Sequence, residues 1–213
     1  MDLKTGHTRL IIDECRKQGL LRNQCAYVLA TAYHETAHTM KPVREYGGEK
    51  YLKSKRYYPY VGMGFVQLTW KANYEKASRK LGVDFVADPK LLLKPAYSAT
   101  ILVVGMKEGW FTGKKLADYI TLQKSDFRNA RRIVNLMDKA ALIASHAVAY
   151  DALLKADGYG EAAATKPAPT AQSEAKTSIA ALWAALITLL VGMWAAFTGW
   201  LCALPIISTF CGG

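Results

Sequence analysis

Two stretches of this chain decide its fold: HET at residues 34–36 and GMGFVQLTWKANY at residues 62–74. The first follows an apolar segment that Asn23 can cap as a helix, and it places the carboxyl group of Glu35 near the helix end. The second begins with a glycine-hinged turn and continues as a predicted helix from Gln67 to Leu81. We therefore expect a cleft bordered by a carboxyl group and by a polar, aromatic helix.

The first 160 residues have the pattern of a mainly α domain with two lobes. Apolar residues recur at helical spacing in several segments, and glycine or proline closes most of them. Residues 41–66 are rich in glycine, proline and tyrosine, which predicts a loop with a short hairpin. Helices are predicted over residues 8–19, 23–39, 67–81, 95–107 and 126–155, the last with a break near 135–138.

Glu35 is the candidate acid for cleavage of a glycosidic bond, which needs a protonated carboxyl group and a second carboxylate. Because Glu35 follows an apolar helix face, we expect partial burial to keep it un-ionised. Glu45 and Glu49 are the only acidic residues between Glu35 and Glu75, so the second carboxylate is expected among them. Glu45 is preferred because Arg44 beside it could hold it ionised, and Glu49 is the alternative.

The second stretch carries groups suited to gripping a sugar. If it is helical, Gln67, Trp70 and Tyr74 recur at three and four residues, while Thr69 and Asn73 form an i,i+4 pair. One face would then offer amide and hydroxyl partners, with aromatic surface for sugar rings nearby. The alternative is that Trp70 and Tyr74 simply pack in the core.

These motifs resemble the chitinase-like glycoside hydrolases of family 19, in the version found in bacteriophage endolysins. HET at residues 34–36 is similar to the segment that carries the family's general acid, and Gly62-x-Gly64-x-x-Gln67-Leu68-Thr69 with Asn73-Tyr74 is similar to its sugar-binding signature. The resemblance implies a lysozyme-like fold and a single displacement by water with inversion. It also implies that Thr69 helps to hold the water and that Gln67 and Asn73 bind sugar.

The resemblance covers roughly residues 8–155 and becomes looser beyond the signature. Residues 88–99 resemble the family's next segment, and Asn135 is similar to a later substrate-binding asparagine. Leu136-Met137 stand where the family usually has a glycine pair. The stretch between Glu35 and Gln67 is also shorter than in plant chitinases, which favours peptidoglycan over chitin.

A competing motif overlaps the first stretch. Residues 34–38, HETAH, match the H-E-x-x-H signature of zinc proteases, with His34 and His38 on one helix face. The metzincin extension is absent, although Glu75 or Glu108 could supply a third ligand. With the second stretch present, we expect no metal and no cofactor.

The charge of the chain indicates its class of binding partner, and its cysteines indicate whether disulfides are expected. The net charge is +11, and the charges after residue 160 cancel, so the whole excess lies in residues 1–160. A basic surface favours an anionic partner such as an acidic cell wall. No nucleic-acid motif is present, and nucleic acid is not an expected partner. Free thiols are expected, with a Cys15–Cys25 bridge as the alternative; the cysteines are Cys15, Cys25, Cys202 and Cys211.

The C-terminal part has a different composition. We expect a lytic glycosidase domain over residues 1–158, an Ala/Pro/Thr/Ser linker over 159–178, a transmembrane helix over 179–201 and a short apolar tail over 202–213. The uncharged run 179–201 would reach about 34 Å as a helix, enough to cross the hydrocarbon core of a bilayer. Lysines precede the run and none follows it, which favours a cytoplasmic N-terminal domain.

The sequence thus predicts an endolysin of phage type that hydrolyses β-1,4 glycosidic bonds of bacterial peptidoglycan, as a lysozyme or muramidase does, for host lysis or wall penetration. It would be a single-pass protein of the host inner membrane or a virion membrane, with a holin-like partner. A chitinase, an HExxH zinc peptidase and a non-catalytic, membrane-tethered wall-binding protein are the alternatives. The candidate catalytic residues are Glu35, Glu45 and Thr69, and the candidate substrate-binding residues are Gln67, Trp70, Asn73, Tyr74 and Asn135.

Overall fold

Helices dominate the computed structural model, which describes residues 1–160. The prediction of a mainly α domain is confirmed. In chain order the elements are α1 (Thr8–Lys17), α2 (Arg22–Glu35), β1 (Val43–Arg44), α3 (Glu49–Lys53), β2 (Met63–Gly64), α4 (Lys71–Leu81), a 3-10 helix (Pro89–Leu93), α5 (Pro95–Glu108), α6 (Leu116–Tyr119), a second 3-10 helix (Asn129–Ile133) and α7 (Ala140–Ala156).

Helix α2 forms the centre of the core. Every residue from Cys25 to Ala32 is fully buried, and the helix packs most extensively against α7. Thr31 in this stretch donates its hydroxyl to the Tyr27 carbonyl at 2.9 Å, whereas the buried hydroxyl of Tyr27 has no hydrogen-bond partner among the described residues. Each large apolar side chain buried here contributes roughly 1.5–3 kcal/mol. The core therefore fixes the position of the last residue of α2, Glu35.

The chain turns sharply after α2. The buried hydroxyl of Thr36 donates to the Ala32 carbonyl at 2.7 Å and accepts the Met40 amide at 3.1 Å, which closes the helix. Ala37 and His38 then take positive φ angles of 47° and 70°. The helix thus ends at Glu35, before the predicted end near Thr39.

The loop after this turn contains the expected short hairpin. Strands β1 and β2 pair antiparallel, with Val43 opposite Gly64 and Arg44 opposite Met63. A second tight connection follows, because the backbones of Met63 and Leu68 exchange hydrogen bonds at 2.9 and 3.1 Å.

Helix α4 begins later than the sequence predicts. Gln67 and Trp70 have φ angles of 53° and 77°, which are incompatible with a helix. The predicted helix from Gln67 is therefore wrong over its first turn, and α4 starts at Lys71. The spacing argument that placed Gln67, Trp70 and Tyr74 on one helix face fails for the same reason.

Two further predictions concern the cysteines and the membrane. Cys15 and Cys25 are both buried and free, as expected of reduced thiols. Cys202, Cys211, the linker over 159–178 beyond its first two residues, the predicted span over 179–201 and the tail over 202–213 lie outside the described residues. Within residues 1–160, no helix is both long enough and apolar enough to cross a membrane.

Candidate active site

An open cavity of about 510 Å³ adjoins the end of α2 and the β1–β2 hairpin. All of the predicted site residues except Tyr74 line it, and they come from segments far apart in the sequence. The lining residues are Glu35, Glu45, Tyr57, Gly62, Val66, Gln67, Leu68, Thr69, Trp70, Asn73, Phe111, Val134 and Asn135.

Glu35 forms an ion pair that the sequence did not reveal. Its Oε1 accepts a hydrogen bond from Nη1 of Arg131 at 2.8 Å, and the two side chains are 17% and 3% exposed. Arg131 also donates from Nε to the Asp138 carbonyl at 3.0 Å. Glu35 is partly buried, as expected, but its carboxyl group is paired with a buried guanidinium, which needs an anionic partner, and this pairing does not favour the un-ionised form that the sequence analysis expected.

The ion pair also fixes the acid in place. With Oε1 held by Arg131, the second oxygen, Oε2, accepts no hydrogen bond from residues 1–160. Glu35 lines the cavity, so this oxygen is free to meet a ligand there.

Glu45 is held by two donors. The Tyr57 hydroxyl donates to Oε1 at 2.7 Å, and the Gly62 amide donates to Oε2 at 2.9 Å. The hydrogen bond to Glu45 and, to a lesser extent, burial raise the pKa of Tyr57 to about 12, so Tyr57 remains a donor at neutral pH. Both carboxylate oxygens are thus oriented, and the sequence offered no sign that Tyr57 would do this.

The alternative second carboxylate, Glu49, lies away from this cavity. Its side chain is 57% exposed and pairs with Arg44 at 2.7 Å. The expectation that Arg44 stabilises Glu45 is therefore wrong. Consecutive residues of an extended chain point to opposite sides, so Arg44 and Glu45 face different surroundings.

The polar groups of the second stretch build the cavity wall. Gln67 donates its amide to the carbonyls of Val43 and Gly64 at 2.9 and 3.1 Å, which ties the turn to the hairpin. The Thr69 hydroxyl donates to the Gln67 carbonyl at 2.8 Å, and the Asn73 amide donates to the Thr69 carbonyl at 2.8 Å. Gln67 and Thr69 use their side-chain donors within the protein, Asn73 keeps one N–H, and the acceptor positions of these side chains remain for a ligand.

Gly62 explains how closely this wall is packed. A Cβ at Gly62 would lie 2.9 Å from Oε1 of Gln67, and it would also crowd the Glu45 side chain. A larger residue would displace the Gln67 amide or the carboxylate that the Gly62 backbone amide holds.

The two aromatic residues of the stretch have different environments. Trp70 lines the cavity, is 48% exposed and packs edge-on against Tyr57 with 5.2 Å between ring centroids. Tyr74 is fully buried, and its hydroxyl donates to the Val61 carbonyl. The prediction that Tyr74 contacts substrate is therefore wrong, because its ring belongs to the core.

The zinc-protease motif is not arranged on a helix face. His38 lies beyond the end of α2 and stacks on Tyr33, with 4.2 Å between ring centroids. Burial lowers the pKa of His34, while the neighbouring Glu35 opposes that shift. Over residues 1–160, no group of three or more His, Cys, Asp or Glu side chains is placed to hold a metal ion.

Comparisons with known proteins give a distant likeness of fold. No protein-family model and no curated protein matches the chain. Among solved structures, it is similar to chitinase C from Streptomyces griseus HUT6037, with a TM-score of 0.47 and 21% identity over 71% of this chain and 63% of that chain. It is also similar to a mutant of chitinase C, with a TM-score of 0.46 and 21% identity over 67% of this chain and 75% of that chain.

Proposed function

We propose that this protein is a glycoside hydrolase that cleaves β-1,4 bonds in the glycan strands of bacterial peptidoglycan. The observation that carries the proposal is that Glu35 and Glu45 come from different elements and line one open cavity. Inverting hydrolysis of a glycosidic bond needs such a pair, with room between them for sugar and water. Exposed Trp70 in the same wall provides a surface for a sugar ring.

In the proposed reaction, the protonated form of Glu35 donates its proton to the leaving glycosidic oxygen, and a proton from solvent restores this form from the ion-paired carboxylate before the next turnover. Proton donation turns Glu35 into a carboxylate, and the guanidinium of Arg131 is already in place to stabilise that charge. Because Arg131 is buried and always protonated, it is a fixed positive partner and needs no rearrangement. The free Oε2 is the oxygen that would carry the proton.

Glu45 is the proposed base. It would remove a proton from water as that water attacks the anomeric carbon on the face opposite the leaving oxygen. Tyr57 and the Gly62 amide orient its carboxylate, and the hydroxyl of Thr69 lies in the same cavity to help hold the water. A single displacement of this kind inverts the configuration at the anomeric carbon.

The biological setting that we propose is that of a phage-type endolysin. The excess of positive charge in residues 1–160 suits an acidic wall, and the uncharged run over residues 179–201 suits a membrane anchor. Attachment to the host inner membrane or to a virion membrane would place the enzyme near peptidoglycan. From the cytoplasmic side it would need membrane disruption or a holin-like partner.

Hydrolysis of purified peptidoglycan tests the activity. The wild-type protein should release reducing sugar ends, and mass analysis of the muropeptides identifies the bond that is cut. Glu35→Gln should lower turnover at least about a hundredfold and keep binding. Glu75→Gln is a matched control, because Glu75 is a half-exposed carboxylate of α4 outside the cavity.

Three results would contradict the proposal in different ways. Peptide fragments whose release stops with a chelator would indicate a metallopeptidase. Binding without any product would indicate a wall-binding protein. Cleavage of chitin oligosaccharides without cleavage of peptidoglycan would support the glycosidase activity but contradict the proposed substrate.

A further inference from the structure

A short segment connects two residues that line the cavity and are hydrogen-bonded to each other. Residues 46–56, here called the rim segment, connect Glu45 to Tyr57, whose hydroxyl donates to Glu45 at 2.7 Å. Leu52 is fully buried and anchors the segment to the core. Because Glu45 and Tyr57, the residues on either side of it, both line the cavity, the rim segment adjoins the cavity.

The rim segment is strongly basic. Its four cations and single acid, Glu49, give it a net charge of +3, and Glu49 is already paired with Arg44 at 2.7 Å. Among residues 1–160 no carboxylate pairs with the four cations, which are Lys50, Lys53, Lys55 and Arg56.

Aromatic surface lies between these cations. Tyr46 and Tyr51 are 66% and 50% exposed, and Nζ of Lys55 lies 3.8 Å from the centroid of the Tyr51 ring. Lys50, Lys53 and Arg56 are exposed. Unpaired cations with interleaved tyrosines suit a ligand that has both carboxylates and apolar groups.

We propose that the rim segment binds the carboxylate-bearing stem peptides of peptidoglycan and thereby selects this polymer over neutral chitin. The inference rests on the proposed glycosidase function and adds the feature by which the enzyme recognises its substrate. A glycan strand in the cavity presents its peptide branches to the side, where the rim segment lies. Chitin has no such branches, so these cations gain no partner when it binds.

The test compares two forms of one substrate: teichoic-acid-free peptidoglycan, and the same strands stripped of stem peptides by an amidase. The rim variant is Lys50→Gln/Lys53→Gln/Arg56→Gln, which leaves Lys55 on its tyrosine ring. Because an exposed ion pair changes an equilibrium by about 1.4- to 5-fold, losing three should lower the ratio of kcat/KM on intact to stripped strands about tenfold. Added salt should reduce the wild-type ratio in the same direction, since it screens exposed charges.

A control variant carries the same change in charge elsewhere. Lys4→Gln/Lys114→Gln/Lys155→Gln removes three exposed lysines that also lack ion pairs within residues 1–160. Its ratio should stay within about twofold of the wild-type ratio. Equal losses in both variants would overturn the inference, because attraction by net charge would then be the whole effect. No loss in the rim variant would also overturn it, because the rim cations would then contribute nothing to the preference.

Co-sedimentation of the full-length protein with the two strand preparations measures the same preference without turnover. If the wild-type protein cleaves neither preparation, the proposed function fails, and co-sedimentation still decides the inference. Weaker binding of the rim variant to intact strands supports the inference. Unchanged binding to intact strands, with lost binding to anionic phospholipid vesicles, would overturn it in favour of a membrane contact.

Discussion

Replacing Arg131 with methionine should destabilise the protein by about 3 kcal/mol. Breaking a buried ion pair by removing one partner costs about 3–5 kcal/mol, because the other charge loses its compensation. The Glu35 side chain keeps 17% exposure, so water partly solvates the orphaned carboxylate and the lower end of that range applies. The lost hydrogen bond to the Asp138 carbonyl, at 3.0 Å, contributes about 1 kcal/mol of this.

Thermal unfolding of the purified protein measures this cost. For a domain of this size, 3 kcal/mol corresponds to a fall in Tm of about 6–12 °C. The double variant Glu35→Gln/Arg131→Met removes both charges, so it should be more stable than Arg131→Met alone. A Tm within about 2 °C of wild type for Arg131→Met, or a double variant that is less stable than either single variant, would refute the reasoning.

Three further substitutions probe the walls of the cavity. Tyr57→Phe should lower kcat about tenfold by removing the charge-assisted hydrogen bond to Glu45. Because this bond raises the pKa of Tyr57 to about 12, its stabilisation is complete below the ordinary value of 10.0 and is lost as the pH rises through about 12. The difference in unfolding free energy between wild type and Tyr57→Phe should therefore shrink over that interval in urea titrations, and a constant difference would count against the bond. Tyr74→Phe should cost about 1 kcal/mol of stability by losing the bond to the Val61 carbonyl, and it should leave KM unchanged; a raised KM would restore Tyr74 as a substrate contact. Trp70→Ala should weaken oligosaccharide binding about three- to tenfold in calorimetry with little change in Tm, and unchanged affinity would exclude stacking on this ring.

Local patterns in the sequence predicted the helices and the main parts of the site. Long apolar segments located α2 and α5, because both helices are buried on most of their sides, whereas the buried residues of α1 recur on one helix face. Glu35 and Glu45 could be selected because few carboxyl groups lie near the second stretch. Gln67, Thr69 and Asn73 could be chosen as candidate site residues although the start of the helix was wrong. It was enough that the second stretch lie near the end of α2, and residues of both line the cavity.

What the sequence could not predict depends on long-range packing or on backbone conformation. Arg131 lies 96 residues from Glu35, and it stands among polar and basic neighbours (Arg128, Asn129 and Arg132) that give no sign that its charge is buried. Positive φ angles at Gln67 and Trp70 leave no local signal, since neither residue is glycine. Tyr74 was misassigned because the predicted helix began four residues too early and rotated the expected face.

The leaving-group dependence of Glu35→Gln tests the proposed mechanism most directly. A general acid is needed when the leaving oxygen is that of a sugar, but not when it belongs to a dinitrophenol, which departs without a proton. We predict that Glu35→Gln loses at least about a hundredfold in kcat on glycan strands and less than about tenfold on a dinitrophenyl oligosaccharide, whereas Glu45→Gln loses at least about a hundredfold on both. Equal losses on both substrates for Glu35→Gln, or full activity on glycan strands, would contradict the role of Glu35 as the proton donor.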